Sequence, residues 1–105
     1  MTRLVALLGN PLRRRHSQVM HDAAFAAAGI DARYVLRELA PDEVAAAVAE
    51  ARGPGWLGLG VTAPYKQTVA GLVDEVEPEA AAIGAVNNVV RTDDGRLVGF
   101  NSDGP

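Results

Sequence analysis

The chain has 105 residues, 49 % of them apolar and 22 % charged, with a formal net charge of -3 and no cysteine. That balance belongs to one soluble globular domain rather than a disordered segment, and the missing basic excess argues against a nucleic-acid partner. Disulfides and thiolate metal sites are excluded, which suits a reducing cytoplasm, and no apolar run approaches the roughly 18 residues of a membrane span.

Leu4 to Leu8 is a continuous apolar run, closed by Gly9-Asn10-Pro11 and followed by Arg13, Arg14 and Arg15. The early stop and the arginines that follow it do not fit a signal peptide; the run reads as a strand buried on both faces. Ser17 to Ala28 reads as a helix with Ser17 as N-cap and Gly29 as its stop. Arg33 to Leu39 is a more polar strand, expected nearer a sheet edge. Asp42 to Arg52 carries Val44, Ala47, Val48 and Ala51 at helical spacing, and Gly53-Pro54-Gly55 ends it. Leu57 to Val61 is a short, glycine-rich strand. Tyr65 to Leu72 and Glu79 to Ile83 read as short helices. Val86 to Arg91 and Arg96 to Phe100 flank Thr92-Asp93-Asp94-Gly95, a hairpin signal. The β-α-β-α-β order implies right-handed crossovers and an α/β three-layer sandwich, its sheet mainly parallel and extended by a C-terminal β-hairpin. Leu4 to Leu8 and Leu57 to Val61 should be adjacent central strands.

Two segments carry chemistry. Gly60-Val61-Thr62-Ala63-Pro64-Tyr65-Lys66 and Gly99-Phe100-Asn101-Ser102-Asp103-Gly104 each follow a short apolar run, the position where open α/β sheets put functional loops. A lysine beside a carboxylate can donate a proton to a developing oxyanion while the carboxylate orients it. Taken singly, Lys66 reads as a solvated cation and Asp103 as an ordinary turn residue. Gly58-Leu59-Gly60-Val61-Thr62-Ala63 satisfies the dinucleotide pattern G-x-G-x-x-G/A. However, Pro64 stands where the fingerprint helix should already run, and no acidic residue closes a second strand about 20 positions on. Gly58 and Gly60 then serve close packing or leave room for a ligand.

From Leu4 to Gly104 the chain resembles the N-terminal, substrate-binding domain of shikimate dehydrogenases. The resemblance rests on Gly9-Asn10-Pro11-Leu12 with Ser17 and His21 beyond, on Val61-Thr62-Ala63-Pro64-Tyr65-Lys66, on Gly84-Ala85-Val86-Asn87-Asn88 and on Asn101-Ser102-Asp103-Gly104. It implies a domain that binds 3-dehydroshikimate or shikimate, with NADP held by a second domain and no cofactor site in this chain. It also implies Lys66 and Asp103 as the catalytic pair, Ser17 on the substrate carboxylate, and Thr62 and Asn87 on ring hydroxyls. A polyhydroxylated substrate needs such hydroxyl and amide partners, and Asn101 offers another. For Asn87 the competing reading is a strand residue that satisfies neighbouring backbone.

The chain departs from the family pattern at several positions. Arg15 replaces a serine and could clamp a carboxylate bidentately, or it belongs to a solvated arginine run. Gln18 replaces a proline, Gly60 an asparagine, and Asn88 and Ser102 stand where threonines are common. Quinate or an amino analogue therefore stays open beside shikimate, as does a stand-alone, non-catalytic domain that binds a cyclic hydroxy acid. The family continues beyond the position of Pro105 into a nucleotide-binding domain and a closing helix. An uncovered domain surface would favour a homodimer, and the isolated chain should turn over nothing.

Overall fold

The computed structural model describes residues 2–12 and 15–102, with residues 15–20 described through their backbone alone. In chain order the elements are β1 (Arg3–Gly9), α1 (Arg15–Ala27), β2 (Ala32–Glu38), a 3-10 turn (Pro41–Glu43), α2 (Val44–Glu50), β3 (Trp56–Val61), α3 (Lys66–Ala70), β4 (Glu75–Val76), α4 (Pro78–Ile83), β5 (Asn88–Arg91) and β6 (Leu97–Phe100). They form one six-stranded sheet of order β2-β1-β3-β5-β6-β4. β1 is parallel to β2 and β3, and β4 to β6; β5 is the antiparallel member, paired with β3 and β6. The two apolar runs are thus neighbours in the sheet interior, as expected, and the polar β2 is an edge.

Strand register sorts the side chains into two faces. Ala6 lies beside Leu59 and Leu8 beside Val61, and Leu59 lies opposite Val89. All five are buried, packed with Val44, Ala47 and Val48 of α2 and Val69 of α3. The helical spacing of α2 thus became a helix face against the sheet. Arg37 pairs with Glu50 at 2.6 Å, its guanidinium 5.5 Å from the centre of the Trp56 ring. That contact ties β2, α2 and β3 together.

The opposite face carries the rows Tyr34–Val5–Gly58–Val90 and Leu36–Leu7–Gly60–Asn88–Phe100. Helix α1 packs here on β2, with His21 stacked on Tyr34 at 4.2 Å between ring centres. The Asp22 carboxylate accepts the Tyr34 backbone N–H at 2.7 Å. Helices therefore flank both faces and make three layers, but farther along the α1 face Val90 is 49 % exposed.

Several boundaries moved. α1 begins at Arg15, so Ser17 is its third residue and not an N-cap. The sequence 42–52 splits into a 3-10 turn and α2. The two-residue β4 was not foreseen.

Candidate functional site

β1, β2 and β3 run in one direction, so Gly9, Glu38 and Val61 end at one edge of the sheet. The loops beyond them are laced together. Thr62 N–H donates to Leu8 O at 2.9 Å, Asn10 N–H to Ala63 O at 3.2 Å and Leu39 N–H to Gly9 O at 3.1 Å. Asn10 Nδ2 donates to Leu39 O at 3.0 Å, and the Tyr65 hydroxyl donates to the same carbonyl at 2.5 Å. Since β5 is antiparallel, its start meets the end of β3, Asn88 opposite Gly60. This brings Asn87 and Ser102 to the same rim. Val61 N–H donates to Asn87 O at 2.8 Å, Asn87 N–H to Phe100 O at 2.9 Å, and Val86 N–H to Lys66 O at 3.0 Å.

Together these elements enclose one open cleft of about 820 Å³ on the α1 face. Thr62, Lys66 and Asn87 all line it, with Tyr34, Gly60, Asn88 and Ser102. Thr62 directly follows β3 and Lys66 is the first residue of α3. Asp103 lies outside the described residues. So do the side chains of Arg15 and Ser17, whose backbone lies in the first turn of α1. Asn101 is not a lining residue of this cleft; its amide donates to Ala85 O at 3.1 Å.

Asn87 satisfies neighbouring backbone and also lines the cleft. Its Oδ1 accepts the Ser102 backbone N–H at 3.0 Å and its Nδ2 donates to Ser102 Oγ at 3.0 Å, while the residue also faces the cleft. Gly60 leaves room on the floor: a Cβ there would meet Leu7 Cδ1 at 3.2 Å and the Tyr34 hydroxyl at 3.4 Å. Tyr34 is 6 % exposed, and burial raises its pKa, so its hydroxyl stays protonated at neutral pH. Tyr34 and Asn88 were not singled out as site residues from the sequence. The signal that could have found them is register, because Tyr34 shares a row with Gly58 across Val5 and Asn88 pairs with Gly60, all on the same sheet face.

The segment from Gly58 to Ala63 does not form a dinucleotide-binding turn. Gly58 and Gly60 lie inside β3 rather than in a turn before a helix, and a Cβ at Gly58 would fall 2.1 Å from Val89 O. These glycines serve strand packing and cleft space. Among the described residues no group of three or more His, Cys, Asp or Glu could hold a metal ion, and no helix is long and apolar enough to cross a membrane.

An α/β domain with its polar cleft at the carboxyl ends of parallel strands belongs to the class of small-molecule-binding domains of open-sheet enzymes. Residues 7–89 match the family model described as the shikimate dehydrogenase substrate binding domain. The chain is 45 % identical over 104 residues to the shikimate dehydrogenase (NADP(+)) of Geobacillus kaustophilus, covering 99 % of this chain and 37 % of the relative. The shikimate 5-dehydrogenase of Thermus thermophilus, solved with NADP(H) and shikimate, superposes with a TM-score of 0.87 at 34 % identity, covering 96 % of this chain and 38 % of that one. Ligand-free 5-ketofructose reductase of a Gluconobacter strain superposes with a TM-score of 0.89 at 31 % identity, covering 98 % of this chain and 37 % of that one. The chain belongs to the shikimate dehydrogenase substrate-binding domain family, and it spans a little over a third of the length of these relatives.

Proposed function

We propose that residues 1–105 form the substrate-binding half of a cytoplasmic, homodimeric shikimate dehydrogenase, which reduces 3-dehydroshikimate to shikimate with NADPH held by a domain outside this chain. The observation that carries this reading is the meeting of Thr62, Lys66 and Asn87 on one cleft in a chain 45 % identical to such an enzyme. The cofactor supplies the redox chemistry, and the residues of this chain bind the ring and handle the proton. Lys66 gives its ammonium proton to the ring oxygen as negative charge develops there, and Asp103 orients that ammonium. Thr62 and Asn87 hold ring hydroxyls, which keeps the reacting carbon in one place. Ser17 and Arg15, at the start of α1, take the carboxylate, where a guanidinium can bind two oxygens at once.

A second reading has one observation behind it. Gly60 has no side chain to place over the floor between Leu7 and Tyr34, so the cleft has space for a ring with an added substituent, such as quinate. Parallel titrations with shikimate and quinate test both readings. Tighter binding of shikimate supports the first, tighter binding of quinate the second, and binding of neither removes both.

A further inference from the structure

Asn87, Asn88 and Ser102 form a closed hydrogen-bonded cluster on the cleft rim. Ser102 N–H reaches Asn87 Oδ1 at 3.0 Å, and Asn87 Nδ2 reaches Ser102 Oγ at 3.0 Å. Asn88 Nδ2 reaches Asn87 Oδ1 at 3.0 Å and Ser102 Oγ at 3.1 Å. One member has no freedom of assignment: a backbone N–H can only donate. The group of Asn87 that faces Ser102 N–H is therefore its oxygen, which puts its nitrogen toward Ser102 Oγ. The group of Asn88 that faces the Asn87 oxygen must then be its nitrogen.

The remaining capacity follows by counting. Asn87 Oδ1 has two lone pairs and accepts two bonds. Ser102 Oγ also accepts two, so its own proton is left to point elsewhere. Asn88 Nδ2 spends both of its protons inside the cluster. Toward a ligand, the Asn87 amide keeps one N–H and Ser102 keeps its O–H.

We propose that Asn88 is a positioning residue that locks Asn87 and Ser102 as donors toward the cleft, so that the substrate oxygen seated there is held as an acceptor. This rests on the reading of the cleft as a site for a cyclic hydroxy acid. A carbonyl oxygen, or a hydroxyl that spends its own proton elsewhere, suits such a seat; a group that must donate does not. Asn88 is exposed, so substitution leaves the core intact.

Calorimetric titration of the chain and its variants with shikimate tests this. Asn88→Ala should weaken binding about 3- to 10-fold, the scale of one or two neutral hydrogen bonds. The near-isosteric Asn88→Asp should weaken it further, because an acceptor would then face the Asn87 oxygen. Asn88→Thr, which keeps one donor, should recover part of the loss. In an Asn87→Ala/Ser102→Ala background, Asn88→Ala should change nothing more, since a positioning residue acts only through its partners. An effect that persists in that background would overturn the proposal by making Asn88 a direct contact, and parent-like binding by Asn88→Asp would overturn it as well. If Thr62→Ala weakens binding and Asn88→Ala does not, the positioning role falls while the proposed function stands. If the unaltered chain binds no shikimate, both fall.

Discussion

A Cβ on Gly9 would lie 2.4 Å from Cγ2 of Thr62 and 2.8 Å from Cδ2 of Leu12. The end of β1 and the start of the Thr62 loop approach more closely than any side chain at position 9 permits, and Thr62 N–H bonds Leu8 O across that contact. Gly9→Ala should therefore cost about 1–3 kcal/mol, the usual scale of overpacking. It should also displace Thr62 and weaken shikimate binding. Denaturant unfolding measures the first effect and calorimetric titration the second; parent-like values in both would show that the loop gives way without consequence.

Gly60 should respond differently. Its Cβ would point at the cleft, with Leu7 Cδ1 and the Tyr34 hydroxyl as the nearest atoms, and a β-branched residue suits a strand. Gly60→Val should keep the fold and lose most ligand affinity, more than about tenfold when a polar ring is sterically refused. Circular dichroism with titration would separate the two effects. Unchanged affinity would place the ligand away from β3.

Asp74, just before β4, ties the start of β6 to Arg52 in the loop after α2. Its Oδ2 accepts the Leu97 N–H at 2.7 Å and also a guanidinium N–H of Arg52, and these bonds, that of Leu97 first, hold its pKa below the ordinary 3.8. The hydroxyl of Thr92 likewise lowers Asp94. A carboxyl whose pKa is lower folded than unfolded adds stability above the unfolded value and loses it as pH falls through the folded one. The chain should thus lose part of its stability below about pH 4. Asp74→Asn should be less stable near neutrality and fall less steeply in acid. Melting temperatures from about pH 2 to about pH 7 check this; parallel curves for the two chains would contradict it.

The proposed catalytic roles are tested in a protein that joins this chain to an NADP-binding domain. There, Lys66→Ala should lower kcat on the order of 10² to 10⁴-fold with a smaller change in KM, the mark of a group felt in the transition state. Asp103→Ala should be comparably severe and not additive with it, as expected of two residues proposed to act as a unit. A Lys66→Ala enzyme that kept most of its kcat would remove the proton-donor role.

The fold was largely legible because its central strands centre on short runs without charged residues, almost wholly apolar apart from the glycines of β3. Val44, Ala47, Val48 and Ala51 marked α2 by spacing alone, and Asp94-Gly95 marked the hairpin. Ser17 misled because a serine before an apolar stretch looks like a cap, whereas α1 starts at Arg15. Glu75–Val76 is too short to show any period and is held by its pairing with Val98 and Gly99. In the site, the loop motifs announced Thr62, Lys66 and Asn87. Tyr34 and Asn88 stayed hidden because their place depends on which strands are neighbours. The Asn101 amide, beyond β6, bonds Ala85 O in the loop before β5, a cross-loop contact that depends on the sheet order and not on local sequence.

The most direct measurement is a two-dimensional amide NMR titration of the chain with shikimate. Saturable shifts centred on Gly60, Thr62, Lys66, Asn87 and Ser102, which line the cleft, are the predicted result. Shifts that gather elsewhere, or none at millimolar ligand, would contradict the account.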